Sequence, residues 1–357
     1  MENKGVFILP QTPINDLNYS KYIPPILGDY ISRIIKGNFY YCINLLDSFS
    51  DRNSKLDDYL KNINNLNILY KELWIDNQNI DLLIENIDTL IKRGYITEIT
   101  NEIYICRCGK IEIEENKILS CNPNNLNFYF KDGKMYSKCC HSICEKKKEK
   151  VLIFTPNNIT RKDLIFIPEY LNNDSKTYEK TVINSYITIS RNRNTGIKIK
   201  FNGNYYNLDI DFLWSTYLAN FDEKQKIVIS GNKMMYQLFV VGLINKILRP
   251  TDETILLGVP IILNSNKYLL EPMDPKVASL SIILNMCYNN KEKEFDTGIL
   301  RKLYKTSEEN LELIYQYVIQ PPDKNMEFYE EINYILRNNF NSQKVLKKIK
   351  NRRDNNV

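Results

Sequence analysis

Two short apolar runs, Gly5–Leu9 and Phe39–Leu46, flank a segment whose apolar residues recur at helical spacing, Ile26–Ile35. Runs this short and this uniformly apolar read as strands buried on both faces, the condition of a parallel sheet. Parallel neighbours need a crossover between them, and the helical segment supplies it, stopped by Gly37-Asn38. Pro10 closes the first run. A strand, helix, strand succession of this kind constrains the chain to a doubly wound α/β fold, in which ligands bind at the carboxyl ends of the strands.

The pattern continues. Leu56–Leu73 and Ile80–Arg93 have helical spacing, the second ending at Gly94. Val151–Thr155, Leu164–Pro168, Lys226–Ser230 and Thr254–Leu263 read as further strands, with a long apolar helix running to Ile247. Helices are expected near Lys276–Tyr288, Ser307–Val318 and Met326–Phe340. Residues 101–150 break the succession and hold six of the eight Cys residues. The expected architecture is a Rossmann-type, doubly wound parallel sheet split by a small Cys-rich insertion, with a helical C-terminal stem. The division reads 1–100 first half of the core, 101–150 insertion, 151–290 second half, and 291–357 stem and basic tail. The tail, Lys344 to Arg353 (KVLKKIKNRR), reads as a solvated helix face.

At 357 residues the chain has room for two or three domains. A net charge of +5 permits nucleic-acid contact without demanding it. No run of apolar residues is long enough to span a membrane, and the N-terminus MENKGVFILP lacks the apolar core of a signal peptide. A cytoplasmic location is expected, where cysteines serve as thiols or metal ligands more than disulfides. Cys106 and Cys108 precede Cys121 and the cluster Cys139-Cys140-His141-Ser142-Ile143-Cys144. Two cysteine groups about thirty residues apart resemble a zinc knuckle pair. The expected ligands are Cys106, Cys108, Cys140 and Cys144, with Cys139, Cys121 or His141 as substitutes. Four protein ligands leave no open position, so such a zinc is structural. The alternative is a set of thiols that hold no metal.

Five segments, in order, resemble the class I aminoacyl-tRNA synthetases, most nearly the methionyl type. After the first strand comes Thr12-Pro13-Ile14-Asn15-Asp16, similar to that family's TPI…ND turn. Asn18-Tyr19-Ser20-Lys21 stands in the HIGH position, followed at the family's spacing by Asp29 and Arg33. The second strand leads to Asp47, which matches the aspartate of G-x-D-x-x-G without its glycines. Ile189-Ser190-Arg191 and Trp214-Ser215-Thr216-Tyr217-Leu218 resemble the start of the second half and its WxDA…YL segment. Gly231-Asn232-Lys233 stands for G-K-D, Lys267-Tyr268-Leu269-Leu270 for KMSKS, and Asp274-Pro275 for the DP that follows. Synthetases of this class often carry a zinc-binding insertion where the Cys-rich segment lies.

The resemblance implies ATP-dependent amino-acid activation, in which a carboxylate attacks the ATP α-phosphate. The protein contributes positioning and charge stabilisation. It implies Asp47 for the substrate ammonium group, and Asn18, Lys21, Lys233 and Lys267 near the phosphates and ribose. Read from the residues, Asp47 is alternatively a helix N-cap, and Arg191 either faces phosphate or is a surface cation of its loop. The substitutions alter that chemistry. Both HIGH histidines are gone, Leu270 replaces the second KMSKS lysine, and Lys233 replaces the ribose-holding aspartate. The one histidine, His141, lies among the cysteines. Two functions follow. One is a truncated synthetase-like ligase without an anticodon-binding domain, using ATP to activate an amino acid and passing it to tRNA or a small acceptor. The other is an inactive synthetase paralogue that binds tRNA, an amino acid or a partner protein.

Overall fold

The computed structural model describes residues 3–13, 19–46, 53–107, 112–114, 128–190, 196–231, 234–259, 261–263, 274–286, 292–322 and 326–347. The first half runs β1 (Lys4–Ile8), α1 (Tyr19–Ile35), β2 (Asn38–Ile43), α2 (Leu56–Asn65), β3 (Glu72–Ile75) and α3 (Ile80–Lys92). Then follow β4 (Ile96–Ile105), β5 (Glu112–Glu114), β6 (Phe128–Lys131), β7 (Lys134–Ser137) and β8 (Glu145–Phe154). The second half runs β9 (Ile165–Ile167), α4 (Leu171–Tyr178), β10 (Ile187–Thr188), β11 (Ile197–Phe201), β12 (Asn204–Leu208), α5 (Ile210–Trp214), β13 (Gln225–Gly231), α6 (Met235–Leu248) and β14 (Glu253–Val259). The chain closes with β15 (Ile261–Leu263), α7 (Pro275–Asn285), β16 (Glu292–Glu294), α8 (Thr297–Tyr304), α9 (Glu308–Val318) and α10 (Phe328–Asn338).

Six strands form one sheet in the order β3-β2-β1-β13-β14-β9, and every pair is parallel. The sheet is doubly wound, with its switch point between β1 and β13; β9, which precedes β13 in the chain, lies at the far edge beyond β14. The central strands are buried throughout: Val6, Phe7, Ile8, Ile227, Val228 and Ile229 are each 0% exposed. That is why they read as unbroken apolar runs. Helix α1 packs on β1, β2 and β13 and meets α7. Its approach is close enough that a Cβ at Gly28 would lie 2.4 Å from Phe39. Helix α6 packs on the second half, where a Cβ at Gly242 would lie 2.5 Å from Leu256 Cδ1.

The structure corrects the following sequence expectations. The segment Leu56–Leu73 is not one helix: α2 ends at Asn65 and Glu72–Ile75 is the edge strand β3. Helix α1 starts at Tyr19, before Pro24-Pro25. Proline φ suits a helix, so the helix passes through both residues at the cost of two rungs. Val151–Thr155 does not return to the parallel sheet. It is the buried end of β8, which pairs antiparallel with β4 along its full length. These two strands belong to a second sheet, β10-β8-β4-β5. Leu152 and Phe154 join the main core, while Cys106, Phe128, Met135 and Cys144 form a small core of their own. No described helix is long and apolar enough to cross a membrane.

Candidate active site and metal centre

The crevice at the switch point is built by the chain leaving β1 and β2. Beyond β1, Gln11 N donates to Cys42 O at 2.9 Å and Asn44 N to Gln11 O at 2.9 Å, so the two strand ends stay laced together. Tyr217, in the segment similar to WxDA…YL, donates its hydroxyl to Ile8 O at 3.1 Å. It is fully buried against Trp74, with ring centroids 5.4 Å apart. Under the other side, Tyr59 donates to Gln11 Oε1 at 2.6 Å, and Tyr41 lies 2.8 Å from the Tyr59 hydroxyl. Burial raises the pKa of both phenols, so they stay protonated donors.

Asp76 fixes the exit from β2. Its carboxylate is 0% exposed and accepts from Leu45 N at 2.7 Å and Leu46 N at 3.4 Å. The chain is therefore held at a definite position on the crevice up to the residue before Asp47. Asp76 is not among the residues expected from the sequence, because the helical pattern Leu56–Leu73 overlaps the start of the strand Glu72–Ile75 that precedes it. A strand-end Ile75-Asp76 was the signal available.

Helix α1 opens at the crevice with no acidic residue in its first turn. Lys21 is exposed on that turn. The helix N-terminus and this ammonium both favour an anion. Further along the same helix, Arg33 grips Asp29 through two bonds, Nε–Oδ1 at 2.6 Å and Nη2–Oδ2 at 2.7 Å. Its third nitrogen donates to the Tyr315 hydroxyl on α9. Asp29 and Arg33 therefore tie the helix that opens the crevice to the C-terminal helices. Burial raises the Asp29 carboxyl above its usual range, and Arg33 offsets this only in part.

The second half contributes Ser190, whose hydroxyl accepts from Leu152 N at 2.8 Å and so joins the string before Arg191 to β8. Asp274 caps α7, accepting from Lys276 N at 2.9 Å and Val277 N at 3.1 Å, with Pro275 at the first helical turn. Lys226 lies at the opposite end of the sheet from the crevice. It is fully buried and donates to Asp252, Leu218 O and Phe221 O. Asn18, Asp47, Arg191, Lys233 and Lys267 lie outside the described residues, so Lys21 alone of the expected crevice residues is placed.

In the insertion, the sulfurs of Cys106, Cys139 and Cys140 lie within 4.8 Å of one another. Cys139 and Cys106 are 3.6 Å apart. Tetrahedral zinc with Zn–S bonds of about 2.3 Å sets its sulfurs about 3.8 Å apart, so this spacing suits the metal. Cys139, expected as a substitute, is in the set; Cys108 lies outside the described residues. Cys144 is buried beside them, and burial first, then the neighbouring sulfurs, pushes its thiol up to about 11.

No protein family's sequence profile matches the chain, and no curated protein matches it. Solved structures do. A Mycobacterium tuberculosis methionyl-tRNA synthetase in complex with methionyl-adenylate aligns over 97% of this chain and 81% of its own, with TM-score 0.65 and 10% identity. The apo form of the enzyme aligns over 89% and 69%, with TM-score 0.60 and 12% identity. A further Met-AMP-bound structure gives 89%, 71%, 0.60 and 12%. At these identities the likeness concerns the fold. The chain's core is similar in fold to that of the methionyl-tRNA synthetases.

Proposed function

We propose that the chain is a synthetase-like ligase that activates an amino acid with ATP and passes it to tRNA or a small acceptor. The observation that carries this reading is the crevice at the switch point, where Asp76 holds the chain entering Asp47 and α1 opens with Lys21 on its first turn. The similar M. tuberculosis enzyme binds methionyl-adenylate. In this chain Asp47 would hold the substrate ammonium group. The carboxylate oxygen would attack the α-phosphorus, and the bond to the departing pyrophosphate would break. Lys21 and Lys267 would counter the phosphate charge, with Arg191 beside them, and Asn18 and Lys233 would contact phosphate or ribose. Cys106, Cys139 and Cys140, with Cys144 beside them, would hold a zinc that crosslinks the insertion and leaves catalysis to the crevice.

The second reading, an inactive paralogue that binds tRNA, an amino acid or a partner protein, draws on Leu270 and on His141, which is exposed in the insertion rather than placed at the crevice. ATP–pyrophosphate exchange across the amino acids separates the two. Exchange above background with one amino acid, abolished by Asp47→Ala, is expected. Absence of both exchange and ATP binding contradicts the ligase reading.

A further inference from the structure

The hairpin β6–β7 has two unlike faces. Inward, Phe128 and Met135 pack with Cys106 and Cys144. The strand alternation then sends Tyr129 and Lys131 of one strand, and Lys134, Tyr136 and Lys138 leaving the other, to the opposite face. There Tyr129 and Tyr136 face each other across the ladder, ring centroids 5.4 Å apart and planes 14° from parallel. His141 lies against Tyr129 at 6.2 Å. Lys131, Lys134 and Lys138 are exposed.

Charge is concentrated here. Residues 128–150 hold seven lysines against three acidic residues, a net +4, where the whole chain carries +5. On the ribbon behind the hairpin, Lys146 and Lys148 meet Glu102 and Lys150 meets Glu98. Lys131, Lys134 and Lys138 make no ion pair among the described residues. A pre-ordered aromatic pair flanked by unmatched cations is the chemistry that takes unpaired nucleotides: bases add to the stack and phosphates meet the lysines. An acidic peptide would use the lysines and leave the rings without a role.

We propose that this face binds an unpaired stretch of RNA, with a base on the Tyr129–Tyr136 stack and its phosphates on Lys131, Lys134 and Lys138. The choice of RNA as partner rests on the aminoacyl-transfer reading. Pyrophosphate exchange uses neither RNA nor this face, so failure of one proposal is distinguishable from failure of the other.

The test is fluorescence anisotropy of the full chain with a short labelled single-stranded RNA of mixed sequence. Tyr129→Ala and Tyr136→Ala are each expected to weaken binding about tenfold or more, and the double Tyr→Phe variant to keep it. Lys131→Ala and Lys134→Ala should each lower the slope of log affinity against log salt by about 0.7. Duplex RNA and polyglutamate should compete poorly. Binding that survives both alanine variants, or equal competition by duplex or polyglutamate, overturns the proposal. Should the alanine variants disturb the hairpin, wild-type protein decides. RNA carrying 4-thiouridine should photocrosslink within residues 128–141, and crosslinks confined elsewhere overturn it.

Discussion

Arg33→Met removes the cation from a buried pair and leaves the Asp29 carboxylate, 3% exposed, with no opposite charge bonded to it. Removing one partner of a buried pair costs about 3–5 kcal/mol. The Arg33 side chain is 28% exposed, which places the cost at the lower end, about 3 kcal/mol. An unfolding entropy of about 2.1 cal/mol/K per residue over 357 residues gives about 0.75 kcal/mol/K, so the melting temperature should fall by about 4 °C. The pH dependence has a definite sign. Burial already raises the folded-state Asp29 carboxyl, and losing Arg33 raises it further. A carboxyl raised in the folded state contributes stability below its unfolded value, and that contribution is lost as pH rises through the folded value. The deficit of the variant should therefore be full above the folded-state value and shrink as the pH is lowered toward the unfolded-state value. Differential scanning calorimetry of wild type, Arg33→Met and the double variant Asp29→Asn/Arg33→Met reads this directly. The double variant should recover much of the loss, because the uncompensated charge is gone. A single-variant shift below about 1 °C, or a deficit that grows toward acid pH, refutes the reasoning.

Asp76→Ala removes the acceptor for Leu45 N and Leu46 N. It should cost about 2–3 kcal/mol in denaturant unfolding and raise the KM for the amino acid more than that for ATP. Lys226→Met leaves Asp252 and two carbonyls short of their shared donor at the far end of the sheet. It should lower stability by about 3 kcal/mol while leaving the exchange rate of the folded protein unchanged. Metal analysis of purified protein should find one zinc per chain. Cys139→Ser or a strong chelator should remove it and open the insertion to limited proteolysis, with the melting of the parallel core less affected.

The parallel strands were legible because burial on both faces leaves a continuous apolar run, as in Lys226–Ser230 against the observed Gln225–Gly231. Strand β3 was not, because Glu72 is exposed and Leu73 half-exposed, leaving two buried residues beside an amphipathic helix. With β3 went Asp76, the residue that best fixes the crevice. The first half of β8, Glu145–Lys150, hides as a strand because its exposed residues are charged and meet β4 through the backbone ladder and cross-strand Lys–Glu pairs, which a hydropathy pattern does not carry. Its apolar half reads equally well as parallel or antiparallel, and only the pairing with β4 decides. Thr254–Leu263 reads as one apolar strand, yet β14 ends at Val259 and Ile261–Leu263 pairs in a different sheet with β16. The order of the resembling segments was legible at the level of fold, where single motifs were too altered to be so.

The central claim is that the crevice joins an amino acid to the AMP moiety of ATP. Mass spectrometry of a single-turnover mixture of protein, ATP, magnesium and the twenty amino acids tests it at the level of the product. The account predicts one aminoacyl-adenylate, at up to one equivalent per chain, absent with Asp47→Ala and restored in part by Asp47→Glu. No adenylate from a folded, zinc-loaded wild-type protein, or an adenylate formed equally well by Asp47→Ala, would contradict it.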